Sequence, residues 1–149
     1  MQRSSVRIFA LALSALLAFP SAASACTLAG LQYMVQFAPQ SAKLSDEEAQ
    51  KIATWFVDRR DGMGISEALA YSQSVKDDES TTALSIERMQ AIRRVLAPLN
   101  TGGVEIVYWD APREERPHGP LAAVLDQILL SVQPACTKTK TCCLVPIQD

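Results

Sequence analysis

The 149-residue chain contains one histidine, His118. That excludes a site built on paired imidazoles. His118 also stands in the proline-rich stretch "RPHGP" with no serine or cysteine motif beside it, so a Ser–His relay has no footing. No Cys-x-x-Cys pair occurs, and spacing therefore gives no metal site. None of the 6 glycines builds a phosphate-cradling loop. Basic residues form no stripe: 14 Lys and Arg stand against 16 Asp and Glu. A mildly acidic balance argues against nucleic acid and anionic membrane surfaces as partners. Aromatics are 6% of the chain, and Trp55 and Trp109 read as packing residues rather than a sugar platform. The acidic run Asp77–Glu79 reads as a solvated loop rather than an acid–base pair. Nothing calls for a cofactor, and no enzyme chemistry stands out. There are no internal repeats, low-complexity segments or interdomain linkers.

Residues 1–25 have the make-up of a secretory signal peptide. Arg3 and Arg7 form a basic start, Ile8 to Phe19 is apolar, and Ala23, Ser24 and Ala25 give the small-x-small cleavage pattern. The apolar run is too short for a membrane span, which needs about 20 residues. After Cys26, charges and prolines interrupt every apolar run. The expected mature chain, residues 26–149, is a single domain with 12 basic residues left against 16 acidic ones. Its expected location is the periplasm, as a soluble protein. "ASAC" also loosely resembles a lipobox, which would make Cys26 a lipidated anchor, but Ala23 stands where leucine is usual.

Cys26, Cys136, Cys142 and Cys143 all lie beyond the cleavage site, and an even count in an exported chain points to two disulfides. A bridge between the adjacent Cys142 and Cys143 would strain the peptide between them. The favoured pairing joins Cys26 to one of Cys142 and Cys143, and Cys136 to the other.

The hydropathy pattern gives the elements. "LQYMVQF" (Leu31 to Phe37) reads as a strand. A helix follows, opened by a capping box of Ser45 and Glu48 and closed at Gly62. "ISEALAY" (Ile65 to Tyr71) reads as a second strand, with the small Ala68 and Ala70 on the face where a helix can pack close. Ser72 to Thr82 reads as a polar loop. Thr81 or Thr82 caps a second helix running to about Asn100. "VEIVYW" (Val104 to Trp109) alternates as a third strand. A charged, proline-rich loop comes next. From Pro120, the spacing of Leu121, Val124, Leu125, Ile128 and Val132 predicts a third helix. "CLVPIQ" in the tail could add a short edge strand. The order predicts an α/β sandwich with helices on one or both faces of a small sheet.

One residue breaks the pattern of the second helix. On a wheel of about 100° per residue, Leu84, Met89, Ile92, Val95, Leu96 and Leu99 fall in one arc, and Arg88 lies inside it. A charge there needs a carboxylate. Two readings stand. Arg88 snorkels or pairs with a loop acid such as Asp77, Asp78 or Glu79. Alternatively, it receives a ligand carboxylate at the mouth of a cleft beside Tyr71, with Gln73 near it.

Two stretches resemble the OmpA-like domain family. "VQFAPQSAKLSDEEAQKIA" is similar to the family's opening strand and helix. "AYSQSVKDDESTTALSIERM" aligns without a gap on the motif G-Y/H-T-D-x-x-G-x-x-x-x-N-x-x-L-S-x-x-R-A. Leu84, Ser85 and Arg88 match its "LS..R", and Tyr71 and Ser72 match the aromatic and the Thr. The resemblance covers roughly Leu31 to Trp109. It implies a β-α-β-α-β core in the Gram-negative envelope and non-covalent binding of peptidoglycan stem peptides, where the motif's Asp and Arg grip diaminopimelate. The Arg carries over to Arg88. The Asp position is Gln73, the motif Gly is Lys76 and the Asn is Thr81. A charge-assisted hydrogen bond is worth about 1.5–3 kcal/mol against about 0.5–1.5 for a neutral one, so Gln73 would weaken the grip, and Lys76 would crowd the loop.

The expectation is therefore an α/β sandwich with a β-α-β-α-β OmpA-like core, an added C-terminal helix and a disulfide-linked tail. The expected function is a non-enzymatic periplasmic envelope protein with a degenerate peptidoglycan site at Arg88, Gln73, Tyr71, Thr81 and Ser85. The alternative is a protein-binding module, such as a periplasmic inhibitor, immunity protein or assembly factor, that kept the fold and lost the ligand.

Overall fold

A computed structural model describes residues 30–139 and 141–142. The expected signal peptide, Cys26, Cys143 and the possible "CLVPIQ" strand lie outside the described residues. The first strand, β1 (Gln32–Gln36), leads into helix α1 (Asp46–Met63). Ser45 caps α1 by accepting from the Glu48 N–H. The Glu48 carboxylate does not close the box back onto Ser45. It accepts instead from the Tyr33 hydroxyl and the Gln36 N–H, both at 3.3 Å, which ties the helix start to β1. The helix ends one turn-position later than Gly62 suggested. Gly64 is the cap, at φ 68°, a left-handed conformation that glycine adopts without steric cost.

Strand β2 (Ile65–Val75) runs four residues past Tyr71, into the stretch expected to be loop. Ser72 and Ser74 are buried there because their hydroxyls find partners under the next helix. Helix α2 (Glu79–Leu96) is capped by Asp78 rather than by Thr81 or Thr82. Asp78 accepts from the Ser80 and Thr81 N–H groups, and the Thr81 hydroxyl accepts from the Val75 N–H. After a 3-10 turn at Ala97–Leu99, strand β3 (Glu105–Arg113) pairs in parallel with β2.

The helix expected from Pro120 is not formed. A 3-10 segment, Gly119–Asp126, gives way to strand β4 (Gln127–Pro134). The four-residue spacing of Ile128 and Val132 fits a helix stripe, but it is also an even spacing, and even spacing marks one face of a strand. Tertiary pairing decides between them. Strand β4 lies between β1 and β2, antiparallel to both, in the order β1-β4-β2-β3. A C-terminal helix is present further on, as the short α3 (Cys136–Thr139), and the Cys136–Cys142 disulfide closes the tail onto it.

Both long helices cover one face of the sheet, giving an α/β sandwich of two layers. Val35, Ala68, Ala70, Ile128, Leu130 and Val132 meet Ile52, Phe56, Ile92 and Leu96 in one core. Among the described residues, no helix is long and apolar enough to cross a membrane.

Candidate functional site

Three connections meet at the end of the sheet where β2 turns into α2. They are the β1–α1 loop, the first turns of α2, and the β3–β4 connection. Together they enclose a cleft of about 810 Å³ lined by Pro39, Thr81, Leu84, Glu87, His118 and Asp126, among others. Arg116 bonds to Asp78 at its rim. The Ser80 hydroxyl, the Thr81 N–H and then Arg116 hold the Asp78 carboxyl below the usual carboxylate range.

Arg88 does not stand at the mouth of this cleft. It is 1% exposed and lies beneath it. Its guanidinium is almost fully used within the chain. Nε donates to the Ser41 carbonyl at 2.8 Å, and Nη1 donates to the Leu125 carbonyl. Nη2 donates to the Ala38 carbonyl at 3.2 Å and to Asp126 Oδ1 at 2.8 Å. The plane rests on the Phe37 ring, 5.1 Å from its centroid. The carboxylate partner is neither a ligand's nor one of the loop acids Asp77, Asp78 or Glu79. It is Asp126, whose side chain keeps 28% of its surface exposed and lines the cleft.

The other site residues are not brought together with Arg88. Strand geometry puts Tyr71 and Gln73 on the face of β2 opposite Ser72 and Ser74, away from the helices. There the Gln73 amide donates to the Tyr71 hydroxyl at 3.1 Å, and its oxygen accepts from Arg113 at 2.8 Å. Because β2 continues through Val75, position 73 points out of the sheet instead of into the loop. Lys76 pairs with Glu114 at 3.0 Å on the surface. Thr81 does line the cleft. Ser85 is buried in a separate cluster. Its hydroxyl lies 2.8 Å from both Ser72 Oγ and Asp110 Oδ1, and Ser74 donates to Asp110 Oδ2 at 2.5 Å. With one proton, Ser85 donates to the carboxylate and accepts from Ser72.

The sequence reading missed Asp126 and Asp110. Asp126 sits in "LAAVLDQ", whose spacing predicts a helix. A lone acid in an apolar run is the natural counterpart of a lone arginine in an apolar arc, and that pairing is the signal that could have found it. No comparable signal marks the Ala38, Ser41 and Leu125 carbonyls, since every residue has one.

Among the described residues, no group of His, Cys, Asp and Glu could hold a metal ion. Gln73→Asp is expected to leave any cell-wall affinity unchanged, because the new carboxylate would face Arg113 on the far side of the sheet. Sedimentation with purified sacculi checks this, and a clear gain in the pellet would contradict the placement of residue 73.

No protein-family model and no curated protein matches the chain in sequence. The fold does match solved structures. The OmpA-like domain of FopA1 from Francisella tularensis subsp. tularensis SCHU S4 superimposes with a TM-score of 0.53 at 17% identity, over 70% of this chain and 75% of that one. The cell wall anchor of the T6SS from Pseudomonas aeruginosa gives a TM-score of 0.48 at 14% identity, over 69% and 80% of the two chains.

Proposed function

We propose, from the premise that the chain has an OmpA-like fold, a non-enzymatic role in the bacterial envelope. The protein is exported to the periplasm, and its peptidoglycan stem-peptide site is degenerate, holding cell wall weakly or not at all. The observation that carries this reading is the internal satisfaction of Arg88 by Asp126 and three backbone carbonyls. A ligand carboxylate would have to displace Asp126. Exchanging one charge-assisted bond for another gains almost nothing, while ordering the ligand costs free energy. Gln73, on the other face, adds no second grip.

Two observations support a non-enzymatic role. The hydroxyls of Ser74 and Ser85 have a carboxylate for a neighbour but no imidazole to take a proton, since His118 lines the separate cleft. Their cluster is also largely buried. The protein-binding alternative draws no support from the contacts at this cleft.

Co-sedimentation with diaminopimelate-containing sacculi tests the reading. The wild-type protein is expected to stay mainly in the supernatant. Saturable pelleting that a soluble stem peptide competes away would overturn it.

The cleft rim should respond to acid. The Asp78 carboxyl is held down in the folded state, so its contribution is present above the unfolded pKa of about 3.9 and is lost as pH falls through the lower folded value. As pH falls through that lower value the first turn of α2 should loosen and release Arg116. Asp78→Asn keeps a capping oxygen and removes the titration. Circular dichroism between neutral and acid pH should show a smaller helical loss at that end in the variant, and an equal loss would count against the cap as the cause.

A further inference from the structure

The face of the sheet away from the helices carries a pattern that the cleft does not use. Met34 pairs with Leu129, Leu129 with Tyr71, and Tyr71 with Trp109. These four form an unbroken apolar row across all four strands. Tyr71 and Trp109 meet edge to face with centroids 5.6 Å apart. Trp109 is 56% exposed, Val107 48% and Met34 43%. Large apolar side chains gathered in this way mark an interaction surface rather than scattered surface residues.

Charges flank the row in an uneven way. At one end, Glu67 and Glu105 lie directly opposite each other in the β2–β3 register. Like charges in that position destabilise a sheet, and neither joins an ion pair among the described residues. At the other end, Arg113 bonds only the Gln73 amide oxygen and has no carboxylate partner among the described residues. Along β3 the open face reads Glu105, Val107, Trp109, Ala111, Arg113. Trp109 is the midpoint, and the charge changes sign across it. The pattern is self-complementary when the strand is reversed.

We infer that this face is the interface of a two-fold homodimer in which the sheets pack face to face. An axis lying along the apolar row reverses the strand direction. It sets Trp109 against Trp109 of the second copy and brings Arg113 of each copy to the Glu67–Glu105 pair of the other. One contact then buries the apolar row and neutralises the like-charge pair, and it does so with no other molecule. Such an isologous contact closes on itself and cannot propagate. Four strands about 4.8 Å apart and about eight residues long at about 3.3 Å each give roughly 500 Å² per copy. The total of about 1,000 Å² is at the low end for specific interfaces, so the dimer is weak and its affinity falls in the micromolar range or above. The inference is independent of the cleft and of any cell-wall ligand.

Sedimentation equilibrium of the purified protein over a wide concentration range tests it. A reversible monomer–dimer equilibrium is expected. Trp109→Ala and Met34→Asp should each weaken it by about tenfold or more. Glu105→Arg and Arg113→Glu should each weaken it through like-charge contact, and the double variant E105R/R113E should recover most of the loss. These side chains are exposed, so circular dichroism and melting will show each variant to be folded. A monomer at every concentration overturns the proposal. Singles that weaken the dimer with no recovery in the double variant overturn the charge pairing on which it rests. A dimer indifferent to Met34→Asp means pairing through the free β3 edge, and face-to-face packing then fails. If the protein is monomeric and deleting residues 144–149 switches association on, the tail covers the face and the second copy is the wrong occupant.

Discussion

Arg88→Ala is expected to bring the protein close to unfolding. Removing one partner of a buried ion pair costs about 3–5 kcal/mol, and this change does more than that. It strands the carbonyls of Ala38, Ser41 and Leu125 together with the Asp126 carboxylate, and it empties the space over Phe37. Each unsatisfied buried group adds about 1–3 kcal/mol unless water reaches it. A domain of this size has about 5–15 kcal/mol in total. The melting temperature should fall by about 10–20 °C, taking about 3–5 °C per kcal/mol for a chain of this length. Arg88→Lys keeps the charge but loses the planar fork that reaches four acceptors, and should fall in between. Arg88→Met fills the volume but leaves the acceptors unpaired, and should sit nearer Ala than Lys. Urea unfolding of the three variants checks the order. A loss under about 1 kcal/mol for Arg88→Ala would mean that the buried pair is not a structural element.

This structural weight explains why the arginine was conspicuous in the sequence and why its purpose was not. A wheel shows that Arg88 shares an arc with Ile92 and Leu96, and both are buried beside it. The wheel cannot show what lies across the gap. The partner is 38 residues away, at the end of the 3-10 segment that leads into β4, in a stretch whose local spacing suits a helix and whose course is set by the pairing of β4 with β1 and β2. The same limit applies to β2. Ser72 and Ser74 look like loop residues by composition, and they become strand because the ladder with β3 continues through Val75, while Ser85 and Asp110 satisfy their buried hydroxyls. By contrast, α1, the start of β2 and the small Ala68–Ala70 face followed directly from hydrophobic period and residue size. The ungapped motif sets Gln73 and Arg88 against the Asp and Arg of the resembled family by their separation along the chain alone. It carried no information on which face of the strand residue 73 would take.

If Asp126 occupies the seat of a ligand carboxylate, removing it should recreate that seat. Asp126→Ala leaves the guanidinium buried with its three carbonyl acceptors and frees one further N–H, on Nη2. That variant should lose about 2–3 kcal/mol in a chloride buffer, less than Arg88→Ala because the carbonyls stay satisfied. The gap opens into the 810 Å³ cleft, which Asp126 lines, so a small carboxylate can reach it from solvent. Acetate should therefore raise the melting temperature of Asp126→Ala at constant ionic strength and leave the wild type unmoved. Any species that binds only the folded state stabilises it by RT ln(1 + [L]/Kd), which is about 2.7 kcal/mol at one hundred times Kd. Full recovery is thus within reach of a weak ligand at high concentration. A soluble diaminopimelate-containing stem peptide should give the same rescue at a lower concentration if the cleft retains contacts for the rest of the peptide. Acetate rescue without peptide rescue would mean that the anion seat survives while the cleft above it no longer fits cell wall. Equal melting of Asp126→Ala in acetate and in chloride would show that Asp126 is only a structural partner, and the description of the cleft as a closed ligand site would fail.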